Sequence, residues 1–268
     1  METPMSKRLP QRIVCLTTET VEVLYALGEQ DRIVGISGYT VRPPEARKEK
    51  PKVFAFTSGD IDKILATQPD LVLTFSDLQS DISRDLIKAG VPVYAFNTRS
   101  VEDILGMIET LGRLVGAEVK ALEIVAGLEA QIEHTRTIAA ERLAKSGRKP
   151  RVYFEEWDDP MISSIRWASE LIEIAGGDDI FAERSASPLA KDRRPTSAEV
   201  IERAPDIIIG SWCGKHFRPE RVAARPGWEA IPAVNQKNMH EIKSAIILTP
   251  GPVAISEGLP LLLDIFDL

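Results

Sequence analysis

The sequence predicts an α/β protein of two Rossmann-like lobes joined by one long rigid α-helix. Three observations carry this. Short apolar runs alternate with segments of helical period, one proline-free stretch of helical period interrupts the alternation, and the pattern on one side of that stretch repeats on the other.

The alternation comes first. Residues 12–16, 32–36, 71–75 and 91–96 are short, apolar and rich in β-branched side chains, as strands covered on both faces are. Between them, 20–27, 61–67, 82–89 and 101–115 carry apolar residues at helical spacing. Gly28 and Gly90 stand where a helix C-terminus favours glycine. Pro69-Asp70 and Val91-Pro92 mark helix-to-strand turns.

Residues 118–145 then run without proline, with Val119, Leu122, Val125, Leu128, Ile132 and Leu143 at helical spacing. As one helix the stretch is about 40 Å long. It divides the chain into an N-terminal α/β lobe (1–117), a linking helix (118–146) and a C-terminal α/β lobe (147–268).

Four segments recur across that helix in the same order. Residues 12–19 match 151–158, 22–33 match 170–180, and 60–73 match 196–209, while 91–96 match 237–242 more weakly. The third pair carries the same Pro-Asp before an apolar run: Pro69-Asp70-Leu71-Val72-Leu73 and Pro205-Asp206-Ile207-Ile208-Ile209. Four matches in order predict two lobes of one design.

With 268 residues, 44% of them hydrophobic and 27% charged, the chain is long enough for two cores. Its net charge of -7 opposes binding to phosphate backbones, so no nucleic-acid partner is expected. No apolar run reaches the roughly 18 residues of a membrane span, so no membrane insertion is expected. The first residues lack the apolar core of an export signal. As written, the chain is expected in the cytoplasm, or in the periplasm if a leader precedes it.

The two cysteines and three histidines form no zinc-type or Cys-x-x-Cys spacing. Dinucleotide, P-loop, nucleophile-elbow and zinc-protease motifs are also missing. No catalytic residues are expected. A Cys213 nucleophile with His216 or His240 as base is the only enzyme alternative.

Open α/β sheets bind ligands beyond the carboxyl ends of their strands. A site formed there between the lobes draws on Thr18, Glu19, Tyr39, Phe56 and Phe75 from the first lobe. The second supplies Glu156, Trp157, Trp167, Arg194, Trp212 and Lys243. Aromatic residues are 6% of the chain yet gather at these positions, which suits a bulky, partly flat ligand. Trp228, in Arg225-Pro226-Gly227-Trp228, reads as structural instead. Cys213 and His216 lie three apart, half a metal site or an axial ligand to a metal chelate, against a plain reading as a loop thiol and an exposed imidazole.

Arg12-Ile13-Val14-Cys15-Leu16, Thr20-Val21-Glu22-Val23-Leu24-Tyr25-Ala26-Leu27-Gly28, Asp31-Arg32-Ile33-Val34-Gly35, Pro43-Pro44-Glu45-Ala46, Ile64-Leu65-Ala66 with Pro69-Asp70-Leu71-Val72-Leu73, and Ala175-Gly176-Gly177 with Ile180-Phe181 resemble the cobalamin and ferric-siderophore solute-binding proteins of ABC transporters. The likeness runs from Arg12 to about Phe266. It implies a monomeric, non-catalytic receptor for a small molecule, needing no cofactor, with a corrinoid or related metal chelate as ligand and a transporter permease as partner. Asp81 and Glu199 align with the acids that meet the permease in that family, though both also read as first-turn helix carboxylates. A tryptophan frequent in the family's cobalamin cleft is Phe75 here, and a second aligns near Arg193-Arg194. The rival readings are a siderophore or haem receptor, and a cytoplasmic ligand sensor or corrinoid-handling factor without a transporter.

Overall fold

Ile13, Val14 and Cys15 are each 0% exposed, as a strand covered on both faces requires. They form β1 (Ile13–Cys15), the centre of a five-stranded parallel sheet with β2 (Ile33–Ser37), β3 (Lys52–Phe54), β4 (Leu71–Phe75) and β5 (Val93–Phe96). The spatial order is β3-β2-β1-β4-β5. The chain therefore reverses its winding direction between β1 and β4, the switch point at which open α/β sheets receive ligands. The computed structural model describes residues 8–55 and 59–267.

Contacts divide the chain into two units. The first holds residues up to 98 together with 102–127, and the second holds 99–101 and 128–268. A core of Val14, Leu16, Val53, Ile64, Val72 and Leu86 fills one face of the first sheet.

In the second unit β6 (Arg151–Asp158) is the central strand. It pairs in parallel with β9 (Ile207–Gly210), which pairs in turn with β10 (Met239–Glu241). Along its other edge lie β8 (Asp178–Asp179), parallel, and β7 (Met161–Ser163), antiparallel. Tyr153, Phe181, Ile208, Trp212, Phe217 and Trp228 build the core against it.

The sequence repeat is a repeat of topology. In the first unit the matched strands run β2-β1-β4-β5, and in the second β8-β6-β9-β10. The repeated Pro-Asp makes the same bonds in each. Asp70 accepts the backbone N–H of Arg12 at 2.9 Å, and Asp70 N–H donates to the Arg12 carbonyl at 2.9 Å. Asp206 accepts the N–H of Arg151 at 2.8 Å and donates to its carbonyl at 2.8 Å. Each aspartate ties the start of one strand to the start of its parallel neighbour.

The linking helix spans Glu118–Ser146. Its buried stripe is Ala121, Val125, Leu128, Ile132 and Thr135, a 4-3-4-3 spacing that keeps one narrow face inward. Three apolar residues expected to pack do not: Val119, Leu122 and Leu143 are 73%, 46% and 40% exposed. Helical spacing alone fits either stripe, and small Ala121 and polar Thr135 gave no apolar signal. The strand Met161–Ser163 was not anticipated: three residues are too short for a period to register. Among the described residues no helix is long and apolar enough to cross a membrane.

Candidate functional site

In the first unit the segments after β1, β2 and β4 hold the expected residues. Thr18 opens the helix Thr18–Leu27 and is half-buried. Glu19, in its first turn, is 4% exposed. Burial pushes its carboxyl up to about 7, against backbone and threonine hydrogen bonds that lower it. Beside it the Thr17 and Thr20 hydroxyls lie 2.9 Å apart. Burial pushes the Cys15 thiol up to about 12, which leaves it an inert core group. Tyr39 is 64% exposed after β2, offering a free ring face. Phe75 is buried at the end of β4. Phe56 lies outside the described residues.

The second unit is more elaborate. Glu155, at the carboxyl half of β6, is 0% exposed. Its carboxylate receives Arg225 through two nitrogens at 2.6 and 2.9 Å, the Trp212 indole N–H at 3.0 Å and the Tyr153 hydroxyl at 2.9 Å. Burial raises its pKa while these donors oppose the rise. Glu155 is thus an internal anchor of the second unit. The next residue, Glu156, pairs with buried Arg193 at 2.6 Å, which ties the segment before the helix Ser197–Arg203 to the end of β6.

Two tryptophans expected to stack on a ligand are interior. Trp167 is 2% exposed in the helix Arg166–Ile174 and donates to the Ile247 carbonyl at 2.9 Å. Trp212 is also 2% exposed and meets Phe217 edge-on at 5.1 Å. Both indoles carry an N–H that a core site can satisfy, so ring type alone did not separate packing from display. Trp228 is buried as expected, with its N–H on Ser197 Oγ at 2.5 Å. Trp157 is half-buried, its N–H fixed on the Asp159 carbonyl at 2.8 Å. Lys215 was not foreseen: its ammonium lies 3.8 Å over the Trp157 ring and pairs with Asp158. A lone lysine in a loop gives no sequence signal for such a contact.

Beyond β9, buried Trp212 and Phe217 pin a loop between them, leaving Cys213 to His216 exposed. Gly210 makes this fold feasible, because a Cβ there would meet the Phe217 ring at 1.8 Å. Burial and the nearby Glu156 charge raise the pKa of the Cys213 thiol, keeping it protonated at neutral pH. Among the described residues no group of three or more His, Cys, Asp or Glu could hold a metal ion. Lys243, after β10, contacts Glu241 at 2.7 Å and His216 Nδ1 at 3.0 Å. Arg194 is exposed, and its guanidinium forms no hydrogen bond or ion pair among the described residues.

Glu19 Oε1, Gln30 Oε1 and Thr40 Oγ1 in the first unit, and Arg193 Nε and Ser211 Oγ in the second, are buried without a hydrogen-bond partner among the described residues, whereas buried polar atoms are normally paired.

The two docking candidates differ. The Asp81 side chain is 87% exposed in the first turn of the helix Ser80–Lys88 and pairs with Arg84. Glu199 is engaged: it closes a capping box with Thr196 and pairs with Arg184. Its pKa is lowered to about 2 by the Thr196 N–H and then Arg184.

Two α/β units sharing one order of matched strands, with a long helix running from residues of the first into residues of the second, form the architecture of this chain. Residues 13–246 match the family model of the periplasmic binding proteins, and the chain belongs to that family. It is 26% identical over 253 residues to an ABC transporter substrate-binding lipoprotein of Bacillus subtilis (strain 168), covering 92% of this chain and 77% of the relative. It is 24% identical over 251 residues to a vitamin B12-binding protein of Vibrio parahaemolyticus, covering 92% and 86%. The fold is shared with the periplasmic heme-binding protein of Roseiflexus sp. RS-1 in its apo form, at a TM-score of 0.81 and 22% identity over 96% of this chain and 98% of that one. The protein is thus a non-catalytic ABC-transporter substrate-binding protein for a small ligand.

Proposed function

We propose that this chain binds a metal chelate with a broad, partly flat framework, a corrinoid or a related tetrapyrrole. The unpartnered buried atoms Glu19 Oε1 and Thr40 Oγ1 in the first unit and Arg193 Nε and Ser211 Oγ in the second carry this reading. A ligand with many peripheral amide or carboxylate groups would satisfy donors and acceptors in several segments at once. The exposed Tyr39 ring and the half-buried Trp157 ring offer apolar faces nearby in their own units. One relative is named a vitamin B12-binding protein and one structural neighbour a heme-binding protein, which agrees with this ligand class. The free Arg194 guanidinium favours a second reading, an anionic chelate such as haem, since the planar fork matches carboxylates. We assign Asp81, the more exposed of the two acids, as the principal contact for the permease.

Calorimetric titration with cobalamin, cobinamide and haemin tests the ligand class, and no heat with any of the three would sink it. Trp157→Ala should weaken the ligand by about tenfold, the worth of one aromatic contact. Arg194→Glu should abolish haemin binding and leave corrinoid binding nearly intact if the second reading is right.

A further inference from the structure

The linking helix Glu118–Ser146 carries one glycine in its interior, Gly127. Nothing around it requires a glycine. A Cβ there would meet no atom within 4 Å, and the backbone is helical rather than left-handed. Alanine would fit, yet glycine stands there and weakens the local helix–coil equilibrium about fivefold.

The position coincides with a boundary. The division between the two units falls between Gly127 and Leu128. On each side the helix is fastened to its own unit. Before the glycine, Ala121 lies so close to the helix Val101–Val115 that a Cβ on Gly112 would come within 2.3 Å of its methyl group. After it, the Gln131 carboxamide donates to the Ser256 carbonyl at 3.0 Å. Arg142 donates to the Leu263 carbonyl at 2.6 Å and pairs with Asp267 at 3.1 Å. From Ile124 to Ala130, by contrast, no side chain forms a hydrogen bond or ion pair among the described residues. Ala126, Gly127, Glu129 and Ala130 are exposed, so water reaches the backbone on that side and competes with the helical hydrogen bonds.

We propose that the linking helix bends at Gly127, each half moving with the unit to which it is fastened. A joint needs only a few residues that absorb the change in backbone angle. A bend of about 5° there moves the far end of the helix, about 28 Å away, by roughly 2.5 Å. The stretch expected to be one rigid strut is then two rigid struts with a single compliant turn, a freedom suited to admitting and releasing a ligand. This joint is a property of the helix, whatever the ligand.

Double electron–electron resonance on the ligand-free protein tests this, with spin labels at Lys88→Cys in the first unit and Glu202→Cys in the second. Both positions are exposed. Cys213→Ser removes the exposed native thiol, and buried Cys15 takes no label. Gly106→Ala is the control: Gly106 lies within the first unit, inside the helix Val101–Val115, and a Cβ there also meets nothing within 4 Å. Both alanine variants should slow hydrogen exchange around the substitution by about fivefold, which verifies that each helix has been stiffened. Gly127→Ala should cut the population in the bent tail of the distance distribution about fivefold, and Gly106→Ala should leave the tail unchanged. A wild-type distribution without a tail, or a tail that survives Gly127→Ala, overturns the proposal. So does a loss of the tail that Gly106→Ala reproduces, because the effect is then general stiffening and not a joint.

Discussion

Glu19 shows how a single side chain couples the ligand end of the first sheet to pH. Its folded pKa of about 7 lies above the ordinary 4.5. Between those values the folded state holds a proton that the unfolded chain has released, so stability falls as pH rises from 4.5 to about 7 and is level above that. Glu19→Gln removes the penalty. Urea unfolding at pH 8 should find the variant more stable by up to about 3 kcal/mol, with little difference at pH 4. Buried Glu155 differs in having a paired cation, so removing its partner destabilises the fold. Arg225→Ala leaves a fully buried carboxylate without its cation and should destabilise by about 3–5 kcal/mol, read from the same experiment. Neither residue was recognisable from sequence in this role. Arg225 is 70 positions from Glu155, and no local spacing announces so distant a partner.

The elements were more legible than the residues they carry. Apolar runs located β1, β2, β4 and β5, and helical spacing located the helix 101–115, because each pattern arises from local geometry. The stripe of the linking helix was not legible, since which face packs is decided by neighbours distant in sequence. The strand ends were found, but display and burial of tryptophan at them were not distinguished. Two predictions belong to this scale. Gly210→Ala forces a Cβ into the Phe217 ring and should cost about 1–3 kcal/mol; limited proteolysis should then cut the 213–216 loop faster. Asp70→Ala and Asp206→Ala each remove a carboxylate that holds the start of a central strand. Each should lower stability by about 1–3 kcal/mol, and hydrogen exchange should show the loss confined to the unit that carries the substitution. Burial raises the pKa of Asp206, but Arg148 and the Arg151 N–H outweigh it and leave the carboxyl below its usual range. Its contribution is therefore present at neutral pH and fades on acidification.

For the whole molecule, the repeat and the family resemblance together made the architecture readable, because both sample many residues at once. The ligand was less readable, because its identity rests on a few exposed side chains whose directions no pattern encodes. A ligand that binds only the folded state should raise the thermal midpoint as its concentration exceeds Kd, by about 2.7 kcal/mol of added stability at a hundredfold excess. Differential scanning fluorimetry with haemin and cobinamide measures it, and an unchanged midpoint at saturating ligand would count against binding to the native form.

The paired aspartates carry a historical consequence. Two strand orders that coincide, anchored by Asp70 and Asp206 through the same two backbone bonds, are what tandem duplication of one ancestral half leaves behind. Divergence has then gathered at the periphery: β3 belongs to one copy alone and β7 to the other.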